Sequence, residues 1–263
     1  MKKKRGFVVF DEDNCTFEID TNITQSLIVC TLILDEILKT RKFASGVLLD
    51  IGCGLKPYHD VFVDNVSKYI GVDWASSCHQ NRKIIDAFSN NNALPFKSNS
   101  FETVLCTEVL EHSPNPSLAI QEVWRVLKPG GTLIMTAPFM YLVHEPPWDY
   151  FRYTEYGLKH LTKEAGLEVI YIKPLGGYST VVADFISKFM LYIFPKRIVI
   201  WYQKIFLFFL KAANNLVHKN AEMWLCEKMI FLNQTLKTRF AFGHILVAKK
   251  VNPSLSETGT ALG

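Results

Sequence analysis

Apolar residues fall in short, strand-length runs separated by stretches where they recur at helical spacing. Seven runs carry the strand pattern: 46–54 (GVLLDIGCG), 68–74, 83–88, 101–107, 131–139, 167–175 and 242–250. Between them lie helical stretches. Residues 22–40 carry apolar residues at helical spacing, Leu27, Leu32, Ile33, Ile37 and Leu38. A second helix runs from 117 to 127 and stops before Lys128-Pro129-Gly130-Gly131. A third takes Thr154 as N-cap and ends at Gly166 as the residue past the C-cap. Strands alternating with helices predict an α/β fold with a mostly parallel, doubly wound sheet and helices on both faces. Residues 1–20 read as a short strand or arm. The segments are then an arm and helix (1–45), a core (46–180), an apolar helical insertion (181–238), a final core strand (239–251) and a small, polar tail expected to be disordered (252–263).

The first strand closes on Asp50-Ile51-Gly52-Cys53-Gly54. Glycines at a strand-to-helix turn let backbone amides approach a ligand, and a following helix N-terminus favours an anionic group. The second strand ends in Asp73, roughly 20 residues on, where doubly wound folds hold ribose hydroxyls. Trp74 follows, placed to pack on a base or on the rim of the core. The third strand ends in Asp86-Ala87-Phe88, with Leu94-Pro95-Phe96 beyond it. The fourth leads to Glu108-Val109-Leu110-Glu111-His112, and Trp124-Arg125-Val126-Leu127-Lys128-Pro129-Gly130-Gly131 comes later.

The ordered set DIGCG, GVD, DAF, LPF, SFETV, EVLEH and WRVLKPGG resembles the seven-stranded class I S-adenosylmethionine-dependent methyltransferases, in particular the small-molecule branch called type 11. It spans roughly 45–175 plus the last strand. The resemblance implies an antiparallel final strand and S-adenosylmethionine as cofactor at the carboxyl ends of the first strands. It further implies that Asp50, Gly52 and Gly54 face the methionine and ribose, Asp73 binds the ribose hydroxyls, Asp86 and Ala87 address the adenine edge, and Glu108 lies beside the transferable methyl. Lys56 and Glu102 depart from the family pattern.

The segment after the fifth strand, 138–153 (PFMYLVHEPPWDYFRY), is long and aromatic for a connector. Loops at strand carboxyl ends line the ligand crevice, which makes it the candidate acceptor pocket. Trp148, Tyr150, Phe151 and Tyr153 are candidate walls for a sugar or another ring, and the Arg152 fork is suited to a carboxylate or phosphate. A hydroxyl acceptor must lose a proton, so His144 is the first candidate base, oriented by Asp149 or Glu145, and His112 the second. Each histidine reads equally as a loop anchor, and the aromatics as a lid. The loop also resembles one in bacterial methyltransferases associated with surface glycans, which implies a small-molecule or glycan hydroxyl as acceptor.

Residues 181–194 and a stretch from 196 onward read as two helices separated by Pro195. On the second, Arg197, Lys204, Lys211 and His218 recur on one face amid aromatic and aliphatic residues. Segment 182–220 suits a membrane-surface contact, with a lipid-linked acceptor, and equally a homodimer contact or a cap on the core.

Composition narrows the partners. Of 263 residues, 49% are hydrophobic, enough for a sizeable core, and the net charge of +4 is too mild for a nucleic-acid binder. The six cysteines include no C-x-x-C pair, so no metal site is expected and reduced thiols are. The expected location is cytoplasmic, peripheral to the membrane face if the insertion docks there. Two alternatives remain: a nicotinamide-dependent oxidoreductase, although Pro57 stands where a dinucleotide loop needs its third glycine, and a non-catalytic cofactor-binding or membrane scaffold.

Overall fold

The computed structural model describes residues 2–5, 7–11, 16–20, 26–75, 84–89, 92–219 and 240–251. The tail 252–263 and part of the insertion, 220–238, lie outside them. Among the described residues, seven strands form one sheet in the order β6-β5-β4-β7-β8-β10-β9. They are β4 (Val47–Ile51), β5 (Lys68–Asp73), β6 (Ala87–Phe88), β7 (Phe101–Thr107), β8 (Leu127–Pro138), β9 (Leu167–Leu175) and β10 (Gly243–Lys250). Strands β6, β5, β4, β7 and β8 pair in parallel, and β10 inserts antiparallel between β8 and β9. This is the expected mostly parallel sheet with an antiparallel final strand.

Successive residues of a strand point to opposite faces, and both faces here are covered. Leu49, Ile51, Val104, Cys106, Leu133 and Met135 pack with Ile120 and Val123 of α3 (Pro116–Val126) and Leu158 of α4 (Glu155–Glu164). Their neighbours Leu48, Leu105 and Ile134 pack on the other face with Ile33 and Ile37 of α1 (Leu27–Thr40) and Val181 of α5 (Tyr178–Met190). The caps follow the sequence. Thr154 accepts from Gly157 N at 3.1 Å, and Gly166 takes φ +81° past the last turn of α4.

Three local features depart from expectation. The arm is a three-stranded antiparallel sheet, β1 (Lys2–Arg5), β2 (Val8–Asp11) and β3 (Thr16–Ile19). Lys128-Pro129-Gly130-Gly131 ends α3 but is itself part of the long strand β8, whose register against β7 shifts between Phe101 and Thr103 with Gly130 at φ +76°. A left-handed glycine supplies such an irregularity without breaking the strand. The glycine turn leads into turns and then a single helical turn, α2 (His59–Phe62), so no long helix points its N-terminus at the loop.

The insertion packs on its own core along one side. Helix α6 (Lys196–Lys219) contacts α1 and α5, with Val199 and Gln203 buried. Gln203 Oε1 accepts from Leu27 N at 3.1 Å, satisfying an amide at the start of α1. Among the described residues no helix is long and apolar enough to cross a membrane.

Candidate functional site

The carboxyl ends of β4 and β7 open into a cavity of about 590 Å³, within the ~300–1,000 Å³ range of small-molecule sites. Its floor is the Asp50–Tyr58 turn and the Thr107-Glu108 step, one wall is the start of α1, and another is His112, Tyr141 and His144. The N-terminal sheet roofs it through Lys4, Phe7 and Asp20. That sheet is braced internally by an ion pair between Lys4 and Asp20, and is tied down by Arg5 Nε donating to Asp60 Oδ1 at 3.0 Å and by Phe7 lying edge-on to Tyr58.

Gly52 sits at φ +67°, and a Cβ there would come within 2.3 Å of Val109 Cγ2. Both the left-handed backbone and the close approach to the strand-end turn after β7 require glycine. Asp73, at the end of β5, lies beside this lining. Its Oδ2 accepts from Gly54 N at 2.9 Å and its Oδ1 from Trp74 N at 2.7 Å. The acid therefore sets the shape of the glycine loop. Asp86 stands farther out: its Oδ2 accepts from Lys56 Nζ at 2.5 Å and Gly71 N at 2.7 Å, which leaves Oδ1 as the oxygen for any ligand. The Lys56 substitution thus has a role as a buried cation bridging the turn to the β6 edge. Ala87 begins β6 opposite Val72.

Two carboxylates of the cavity are held at unusual protonation. Burial raises Asp50 to about 7, against the opposing hydrogen bond from Tyr69 Oη at 2.5 Å. Glu108, at φ +53°, is also raised by burial, although Thr136 and Arg152 act against the shift. Among the described residues its buried Oε1 has no hydrogen-bond partner. Buried acids whose burial outweighs their partners favour a cationic ligand.

The segment 138–153, the expected acceptor loop, lies at this end, with Tyr141, His144 and Glu145 lining the cavity. Trp148 meets Trp74 edge-to-face at 5.1 Å. Both are partly exposed, as are Tyr150 and Phe151. His144 Nδ1 lies 3.2 Å from Asp149 Oδ2, the orienting arrangement expected of the pair. Burial lowers the His144 pKa, with Asp149 acting to raise it. Burial would raise Asp149, but hydrogen bonds from Arg152 and the His144 amide outweigh it and hold the acid at about 2.

Two acceptor-side expectations are corrected. The Arg152 fork does not face the cavity: it grips Asp149 in bidentate fashion at 2.5 and 2.6 Å and donates to the carbonyls of Tyr141 and Leu142. Tyr153 is no wall either; it is buried, with its hydroxyl donating to Leu110 O at 3.1 Å. Glu145, at φ +52°, lines the cavity.

Sequence reading passed over Glu111. It is fully buried, and His112 Nε2 and His144 Nε2 each lie 3.8 Å from its Oε1. Its motif position, one residue before a histidine at a strand exit, was the available signal.

Residues 49–135 match the sequence model of a family described as a methyltransferase domain. An uncharacterised protein of Methanocaldococcus jannaschii is 35% identical over 108 residues, 40% of this chain and 48% of its own length. A demethylmenaquinone methyltransferase of Renibacterium salmoninarum is 33% identical over 121 residues, covering 43% and 49%. The chain spans about half the length of the curated relatives it matches. Among solved structures, the [4+2]-cyclase SpnF superposes with a TM-score of 0.51 at 20% identity, covering 89% of this chain and 85% of that one. That likeness concerns the fold. The segment from β4 into β8 is therefore similar in sequence to methyltransferase domains, and the sheet around it carries the fold expected of them.

Proposed function

We propose that this chain is an S-adenosylmethionine-dependent methyltransferase that methylates an oxygen of a small-molecule or glycan acceptor. The observation that carries the reading is the union of the glycine loop shaped by Asp73 with a cavity that holds two buried acids, Asp50 and Glu108, both raised by burial. A nucleoside carrying an ammonium and a sulfonium suits that donor set; the match over 49–135 supports the same cofactor. The cofactor, when bound, supplies an electrophilic methyl group for in-line displacement. Asp73 holds the ribose hydroxyls, Gly52 and Gly54 admit the backbone to close approach, and Trp74 covers the base. Glu108 faces positive charge at the β7 exit. Trp148 and Tyr150 form the walls of the acceptor end, where aligning the reacting atoms at roughly 3–3.5 Å is the main catalytic task. His144, its tautomer set by Asp149, presents Nε2 to the acceptor hydroxyl.

The acceptor is lipid-linked in this reading. Tyr192, Ile193, Trp201, Phe208 and Phe209 are strongly exposed on and before α6, beside the exposed cations Lys196, Arg197 and Lys204. An apolar strip of this kind with basic residues at its edge suits a membrane surface. The protein is expected to float with anionic vesicles, and Trp201→Glu with Phe208→Glu should abolish flotation; equal flotation of the two would remove the membrane contact. Mass spectrometry of glycans and lipids from cells lacking the gene tests the acceptor. A species lighter by one methylene is expected, and its absence from both fractions would count against this acceptor class.

A further inference from the structure

We propose that Glu111, His112 and His144 form a binding site for one divalent transition-metal ion of the zinc class at the acceptor end of the cavity. The inference does not depend on the identity of the methyl donor, and it replaces the expectation of no metal drawn from the cysteine pattern.

The first observation is Glu111 itself. Its side chain is fully buried, and among the described residues neither carboxylate oxygen has a hydrogen-bond partner from another residue. A buried carboxylate left without donors is strongly disfavoured unless a cation or proton compensates it.

The second is the orientation of the two histidines. His112 Nδ1 lies 2.9 Å from the carbonyl oxygen of Trp148, which can only accept, so Nδ1 carries the proton. His144 Nδ1 faces the Asp149 carboxylate at 3.2 Å, which fixes the same tautomer. In both neutral rings Nε2 therefore bears a lone pair, and both Nε2 atoms point toward Glu111 Oε1 at 3.8 Å. With Glu111 ionised, three acceptor atoms converge, an arrangement that a bound cation compensates. A metal-bound histidine characteristically donates its other N–H to a carbonyl or carboxylate, as both do here.

The third is spacing. The ligand atoms all lie within 4.8 Å of one another. Ligands about 2.1 Å from a tetrahedral ion stand roughly 3.4 Å apart, so closure needs side-chain movement on the order of an ångström. Two imidazoles and one carboxylate select zinc and its transition-metal neighbours over magnesium or calcium, which prefer all-oxygen shells. His112 and His144 line the cavity, so the remaining coordination position opens toward the acceptor and would take an oxygen ligand. In that state His144 is a ligand rather than the proton acceptor, and Asp149 with Arg152 positions it.

The test uses the full chain without a polyhistidine tag. After dialysis against a chelator, calorimetric titration with zinc chloride should show one equivalent bound, with a Kd below about 1 µM. Cobalt(II) chloride should produce visible d–d absorption in the same stoichiometry, a readout that needs no variant. Glu111→Gln and His144→Ala should each weaken zinc binding at least tenfold, whereas His160→Ala, on the exposed face of α4, should leave it unchanged. Failure to bind zinc and to develop the cobalt spectrum would overturn the proposal, as would binding equal in wild type, Glu111→Gln and His144→Ala. A variant that loses its folded circular-dichroism spectrum is replaced by the cobalt titration of the wild-type chain, which decides alone.

Discussion

Asp73→Ala should weaken S-adenosylmethionine binding by about 100-fold. The carboxylate makes two charge-assisted hydrogen bonds, to Gly54 N and to Trp74 N, and in the proposed complex also receives the ribose hydroxyls. Hydrogen bonds to charged groups contribute roughly 1.5–3 kcal/mol each. Losing the ribose contact and releasing the glycine loop together should therefore cost about 3 kcal/mol of binding, or two decades in Kd. Asp73→Asn is the informative companion. One oxygen remains to hold Gly54, so the loop keeps its shape while the charge is lost, and about tenfold weakening is expected. Calorimetry of the three proteins checks the order. Equal affinities would mean that the ribose is held elsewhere.

The affinity for S-adenosylmethionine should also fall about tenfold from pH 8 to pH 6. Burial raises Asp50 to about 7 in the ligand-free chain, with Tyr69, Lys56 and Asp73 around it. Above that value the carboxylate is ionised and ready for a cationic ligand. Below it, binding must first expel a proton, at a tenfold cost per pH unit once protonation is complete. Glu108, shifted in the same direction, steepens the dependence. The same shift acts on folding with a defined sign. An acid whose folded pKa is raised binds its proton more tightly in the native state, so its contribution declines as pH rises from about 4 to 7 and then levels off. Asp50→Asn should flatten both profiles. A binding profile that rises toward acid pH would contradict the assignment of these acids.

Much of this architecture is legible in the chain because it is local. The runs GVLLDI, KYIGVD and FETVLCT are short, apolar and bounded by turn residues, so length and flanks mark them as inner strands. Thr154 and Gly166 mark α4 because capping is settled within one turn of backbone. The glycine loop and Asp73 are legible for a related reason: strand ends at fixed topological positions place them side by side. The acceptor end is less legible because it is assembled across distance. Glu111 leaves β7 and His144 lies on the loop after β8, so nothing in their spacing announces that their side chains meet. Arg152 has the composition of an anion clamp, yet Asp149, three residues earlier, is a nearer anion than any ligand. Tyr153 looks like part of an aromatic wall, but its hydroxyl finds Leu110 O in the core. The roof formed by β1–β3 is the largest surprise. A charged, strand-forming arm gives no local sign of the cavity it covers.

The glycine-loop cavity as a site for a sulfonium nucleoside is tested most directly by titrating the purified chain in a calorimeter with S-adenosylmethionine and, separately, with NAD and NADP at pH 8. One-to-one binding of S-adenosylmethionine in the micromolar range, with no heat from either dinucleotide, is the expected result. Saturable binding of a dinucleotide, or no binding of S-adenosylmethionine by folded protein, would contradict the account.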